Sequence, residues 1–527
     1  MEYLKKVCFL LFVLFNINVQ ANFNWNLPPQ DLTSFDDLAT TPQICCDNSG
    51  NAFAVWSIKL SGTSNFFVQT AFFDGNTFTW SNFTTLSDDS QDAFGARICC
   101  DNSGNAIAVW QRSNGTDSII QASHFDGSSW SSVIDLSEPG EGAFIPQVCC
   151  DNSGNAIAVW VRSNGTNSII QSSYFDGSSW SSVMDLSEPG ESAAPPQVCC
   201  DNAGNAIAVW QRTNGTNTII QAAHFDGSSW APSESGINLS APGLNSFNPQ
   251  VCCDNLGNAI VVWEQHNGTN IIVQSAHFDG NSWSGVSNLS EAGKNSTRPQ
   301  ACCDDSGNGV AVWTGEEGVN EIIKSSFFDG SDWTPLDSIY DLSEPSLSTG
   351  KPHVCCDNLG NAFAIWIRYN GTNHIVQSSR YNGSSWEPFE SGDNLSEGGD
   401  QSDNPQICCN SLGQSIAIWD RGSLSNAIIQ STFYLPQIFP PSNFQGNRVT
   451  NQFPTQSAVS AHLSWTPNTD PSITAFLIFK NGVLLTTISS NFSSYTDCNI
   501  SPCQSYSYSI VSINVIGDES DAEIIEL

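Results

Sequence analysis

Apolar and polar positions along this chain repeat on two scales. Within short runs they alternate. In Asn155 to Trp160, Ile157 and Val159 share one face while Ala156, Ala158 and Trp160 share the other. Just before it, Gln147 to Cys150 is a short apolar run closed by the turn residues Asp151-Asn152-Ser153-Gly154. Asn164-Gly165 then signals a hairpin into a third strand, Ser168 to Phe175. Asp176-Gly177 turns that into a fourth strand, which begins near Trp180 and ends at Leu186. No part of the unit keeps helical spacing, so it is all-β.

The second scale is about fifty residues, the mark of a repeat architecture. Eight copies follow one another, each with an adjacent cysteine pair: Cys45-Cys46, Cys99-Cys100, Cys149-Cys150, Cys199-Cys200, Cys252-Cys253, Cys302-Cys303, Cys355-Cys356 and Cys408-Cys409. A Trp lies eleven residues after each first Cys, from Trp56 to Trp419. Sheets that are apolar or small on both faces need cover on both sides, and neighbouring copies supply it in a β-propeller. An open stack would leave an edge and a terminal face bare. The ends of the array favour closure. The last copy stops after its third strand, whereas Trp25 to Leu32 repeats the fourth-strand pattern ahead of the first pair. Leu32 precedes Cys45 by thirteen residues, just as Leu186 precedes Cys199. The expectation is an all-β, eight-bladed β-propeller over residues 22–434, closed by an N-terminal outer strand, with the Cys-Cys strand innermost.

The box D-x-x-G-N-A-x-A-V-W, the hairpin after it and a later G-x-x-W resemble the repeats of secreted bacterial β-propeller proteins. The resemblance implies the fold and no substrate. This chain departs from it by placing Cys-Cys where such repeats carry small or aliphatic residues. Composition shifts at the Pro-rich residues 435–440, which read as a linker. Residues 441–527 resemble a fibronectin type III domain, with Trp465 on the second strand and Tyr506 as the corner tyrosine after Ile500-Ser501-Pro502. There Cys498 and Cys503 are a candidate local disulfide.

At the other end, Lys5 and Lys6 precede the apolar run Val7 to Phe15 and the small-residue site Val19-Gln20-Ala21. Residues 1–21 read as a signal peptide, which places the chain outside the cytoplasm: extracellular, at the cell surface or periplasmic. Export permits disulfides. Three states of the cysteine pairs stay open: a ring of inter-blade bridges, buried thiols, or bridges within a pair. Adjacent strand residues point to opposite faces, so a ring joins one thiol of each copy to its neighbour. The simpler register is Cys46–Cys99, Cys100–Cys149 and onward, with Cys408 or Cys409 returning to the first copy.

A net charge of −36 argues against nucleic acid and anionic membranes as partners. No run is long enough for membrane insertion, and no spacing suits a zinc site or any cofactor. No catalytic residue stands out. His124, His224 and His277 share one third-strand position in different copies and read as packing residues, and Arg112, Arg162, Arg212 and Arg368 recur two residues after Trp. Near-identical copies suit repeated weak contacts that gain by avidity. The first functional expectation is therefore a monomeric, exported, non-enzymatic binding or adhesion protein that presents loops to a glycan or surface protein. Two alternatives stand beside it. One is a glycan-active enzyme of glycosidase or sialidase type, with carboxylates clustered by the variable stretches Glu138–Pro146, Ala241–Pro249, Ser343–Pro352 and Glu397–Pro405. The other is a disulfide-linked structural component of an envelope.

Overall fold

The computed structural model describes residues 25–88, 90–163, 165–423, 425–435, 439–452, 457–467, 473–514, 517 and 519–527. The expected signal peptide, Asn164 of one hairpin and residues 436–438 of the linker lie outside them.

The fold is all-β and propeller-like, with one short 3₁₀ turn at Leu336–Ser338 among the described residues. The third copy shows how its residues produce a sheet. Ala143–Cys150, Ala156–Ser163 and Ser168–Phe175 pair antiparallel in sequence order. The fourth strand is shorter than its alternation suggests. It survives as a bridge between Trp180 and Phe175 and as Met184–Asp185. Serine hydroxyls replace the missing ladder: Ser181 Oγ accepts the Tyr174 N–H at 3.0 Å and Ser187 Oγ accepts the Ile170 N–H at 2.9 Å.

Sheets stack through unlike faces. Ile157, Val159 and Val161 of the third copy pack on Ala206, Ala208 and Trp210 of the fourth in one buried cluster. All eight Trp of this position, Trp56 to Trp419, have no exposed surface. Alanine lets the next backbone approach, and the indole packs in the same layer.

The two extremities of the array share a sheet. Gln30 and Asp31 pair with Ser431 and Gln430, and Trp25 bridges Tyr434. The Asn26 N–H donates to Phe433 O at 2.8 Å and the Leu32 N–H to Ile429 O at 2.7 Å.

Disulfides join each Cys-Cys strand to the next around the whole array. They are Cys45–Cys100, Cys99–Cys150, Cys149–Cys200, Cys199–Cys253, Cys252–Cys303, Cys302–Cys356, Cys355–Cys409 and Cys46–Cys408. Their Cα–Cα separations run from 5.5 to 5.9 Å, which suits the bond. This is the opposite parity to the register expected above: the first Cys of each copy, not the second, reaches the following copy. Strand register gives the reason. Cys149 lies opposite Ile157 and Cys150 opposite Ala156, and cross-strand partners share a face. The Ile-Val face looks at the following copy, so it takes the first Cys with it. Eight disulfides fit an exported chain, and no described helix is long and apolar enough to cross a membrane.

Residues 442–527 form a three-stranded and a four-stranded sheet around Trp465, Phe476, Tyr506 and Tyr508. The local disulfide expected there is absent: Cys498 and Cys503 are free and exposed. Other bonds hold that loop. Tyr506 Oη accepts the Ser501 N–H at 2.9 Å, and Arg448 donates to Pro502 O at 2.9 Å and also to Gln504 O.

Peptide mapping without reductant should recover Cys99 linked to Cys150 and Cys46 linked to Cys408, and a Cys100–Cys149 link would refute this parity. Replacing Cys46 and Cys408 together by Ser removes the bridge that closes the ring, and should cost about 2–4 kcal/mol in denaturant unfolding.

Candidate active site at the channel mouth

Each Cys-Cys strand carries a bulge near its start. In the third copy the register shifts between Phe144 and Gln147, and the same slip recurs in the other seven. A bulge re-aims side chains, and here one residue per copy stands out of register at it. In copy order these are Thr41, Gly95, Ile145, Pro195, Asn248, Arg298, Lys351 and Asn404. Backbone φ is positive at most of them, for example +54° at Ile145, +56° at Arg298 and +48° at Lys351. A left-handed β-branched residue such as Ile145 is a genuine outlier, and such strain collects at functional sites.

The copies are alike almost everywhere else, yet around this mouth they differ. The cross-strand pair beside the bulge is Thr40/Ser57, Phe94/Gln111, Phe144/Val161, Phe247/Glu264, Thr297/Thr314, Gly350/Ile367 and Asp403/Asp420 in the copies where register aligns it. No two of these pairs match. Two residues beyond the bulge position, six copies place Gln and the other two place Arg97 and His353.

Beside the bulge, only the eighth copy sets two carboxyls opposite each other. Asp403 and Asp420 are direct partners, a geometry that brings Cβ atoms to roughly 5 Å. Lys351 from the seventh copy donates to Asp403 Oδ1 at 2.6 Å and to Asn404 Oδ1 at 3.0 Å. The residue after Trp faces the following copy: Gln211 accepts the Asn248 N–H at 3.2 Å and Glu264 the Arg298 N–H at 2.7 Å. Asp420 holds the same position, but its Oδ1 is buried without a hydrogen-bond partner. Burial first, and then the Asp403 charge, push the Asp420 carboxyl up to about 7, against opposing help from Asn404 and Lys351. A carboxyl with that value still holds its proton in a large share of molecules at neutral pH.

Next to this pair opens a cavity of about 780 Å³, lined by Thr40, Thr41, Gln43, Lys59, Phe94, Arg97, Asn404 and Gln406 among others. Arg97 donates to Gln147 Oε1 at 3.2 Å and to Ala96 O at 3.1 Å, and desolvation draws it down to about 10. His353 is pushed down to about 4 by desolvation, with the Arg97 charge adding to the effect.

The repetitive residues do not gather here. His124, His224 and His277 stack on Phe175, Phe278 and Phe328 of the following copies, at centroid distances of 5.1, 5.2 and 5.0 Å. Tyr174, Phe327 and Arg380 take the same position elsewhere. Arg112, Arg212 and Arg368 each pair with an acid in the loop leading into their own copy: Asp88, Glu188 and Glu344. Arg162 lies 3.6 Å from Glu141 in the same way. The residues that do converge escaped notice because they are the positions where the copies disagree. Laying the eight copies under one another and reading the columns that vary would have found them. All four variable stretches feed the mouth, with Ile145, Asn248, Lys351 and Asp403.

No protein-family model and no curated protein matches the chain. Among solved structures it is similar to an ulvan lyase, a polysaccharide lyase bound to -[GlcA(1-4)Rha3S]-, at 11% identity and TM-score 0.43, over 69% of this chain and 95% of that one. It is similar to the NanB sialidase from Streptococcus pneumoniae at 12% identity and TM-score 0.37, over 77% of this chain and 70% of that one. It is similar also to a Penicillium chrysogenum α-L-arabinanase complexed with arabinobiose, at 11% identity and TM-score 0.36, over 78% and 98%. The expectation of a non-enzymatic binding or adhesion protein is corrected. It rested on the likeness of the copies, which fails at the mouth.

His353 yields a prediction about stability. Its folded value lies near 4, below an unfolded value of about 6.5. The stability it contributes is present above pH ~6.5 and is lost as pH falls through 4. His353→Gln, which installs the residue six other copies use, should therefore lose less stability than wild type between pH 6.5 and 4. Equal losses in paired urea titrations would refute the assignment.

Proposed function

We propose that this chain is an exported glycan-active enzyme, with a signal peptide at 1–21, an eight-bladed β-propeller at 22–434, a linker at 435–440 and a fibronectin type III domain at 441–527. The catalytic site in this reading is the mouth of the central channel. The observation that carries it is the opposed pair Asp403 and Asp420, in which burial raises the Asp420 carboxyl while Asp403 pairs with Lys351.

Cleavage of a glycosidic bond needs a proton donor for the leaving oxygen and a second carboxylate to meet the charge at the sugar carbon. Asp420 suits the first role because its desolvated carboxyl holds a proton near neutrality and its Oδ1 has no protein partner. Asp403, paired with Lys351, suits the second. Donation from the neutral acid ties the rate to pH: activity should fall as pH rises through about 7, where Asp420 loses its proton.

A polysaccharide panel assayed for new reducing ends tests the reading. Asp420→Asn should lower kcat by roughly 10²–10⁴-fold and remove the alkaline limb. Asp403→Asn should be at least as damaging. Turnover indifferent to both variants would sink the assignment.

A further inference from the structure

The chain has 16 Lys and Arg against 52 Asp and Glu, so a cation without a carboxylate partner is unusual in it. Most cations of the repeat array are paired, Arg112 with Asp88 and Lys351 with Asp403 among them. Within the array Arg97, Arg298, Lys59 and Arg380 have no such partner among the described residues; Arg380 lies over the Phe363 and Tyr434 rings, and the other three belong to the channel mouth. Arg97 and Lys59 line its cavity. Arg298 is exposed at the bulge, held there at φ +56° by its own backbone N–H to buried Glu264. Arg97 spends two of its five N–H donors on Gln147 and Ala96.

Neither arginine is needed by the fold at these places. Six copies put Gln where Arg97 stands, and Arg298 shares its column with Thr41, Ile145 and Asn248. The two sit in the second and sixth copies, on opposite sides of the ring. That separation suits a chain lying across the mouth better than one small anion.

We infer that the mouth takes an anionic glycan, whose carboxylate or sulfate groups are held by Arg97 and Arg298 with Lys59 at the wall. The inference rests on the glycan-active reading of the same site. The chain's overall acidity does not oppose it. At physiological salt the Debye length is about 8 Å, so carboxylates on the outer surface are screened from the mouth, where Arg97, Arg298, Lys59 and Lys351 stand beside Asp92, Glu264 and Asp403. A guanidinium also matches carboxylate and sulfate oxygens in a two-point fork, which a neutral sugar does not offer.

The test is binding by calorimetry to polygalacturonate, dextran sulfate and neutral dextran, at low and high salt. The expected result is that at least one anionic polymer binds tenfold or more tighter than dextran, weakens with salt, and loses that advantage in the Arg97→Gln, Arg298→Gln double variant. The polymer that binds tells carboxylate from sulfate recognition. Equal binding of all three polymers overturns the inference, as does a double variant that binds like wild type. Failure of the catalytic reading looks different. Wild type that cleaves a neutral glycan through Asp420 and binds no polyanion keeps the enzyme and discards the anion. Asp420→Asn that binds the polyanion normally, in a protein that cleaves nothing, does the reverse.

Discussion

The burial of one indole per copy against the Ile-Val face of the preceding sheet is the contact on which everything else depends. A sheet of this composition has no polar face to offer solvent, and a single copy has no interior. Each fully buried Trp removes about 200 Å² of aromatic surface from water, a gross gain of about 5 kcal/mol at most. That gain is realised only when a neighbour is in place. A unit that is stable only between two like units calls for a ring, and the N-terminal strand beside Tyr434 completes it.

The ring also explains the cysteines. Inner strands converge on the axis until their Cα atoms are 5.5 to 5.9 Å apart at the pairs, well inside the usual ~10 Å between stacked sheets. Few side chains fit there. Thiols fit, and once joined they lie at the narrowest part of the packing. With two per copy on opposite faces, each sheet is tied to both neighbours, so the channel is framed by covalent links and its mouth is a firm support for strained bulges.

Such a support separates the work of building from the work of recognition. Side chains between sheets must be complementary to a neighbour and are repeated almost without change. Side chains at the mouth meet neighbouring copies through polar contacts such as Lys351 with Asp403, and apolar packing does not fix their identity. That is where Ile145, Arg298, Lys351 and Asn404 replace one another, and where the eighth copy alone opposes two aspartates. The low value of His353 and the high value of Asp420 share one cause, desolvation in a confined polar space.

Alternation in Ala156 to Trp160, the Asn-Gly and Asp-Gly turns and the fifty-residue period were enough to place strands, faces and closure, because these follow from local chemistry and from the need to cover both sides of every sheet. The period also made cross-linking between neighbours plausible, since it put thiols on both faces of an inner strand. Its parity was not legible, because it depends on which face looks forward around the ring, and only the packing of Trp210 on Ile157 and Val159 shows that. The loop of Cys498 and Cys503 misled for a similar reason: short spacing allowed a bridge, while Tyr506 and Arg448 hold the loop without one. The candidate site was least legible. Asp403 and Asp420 are seventeen residues apart in a chain with dozens of carboxylates. It took strand register to set them opposite each other, a bulge beside them and burial to raise the carboxyl of one of them.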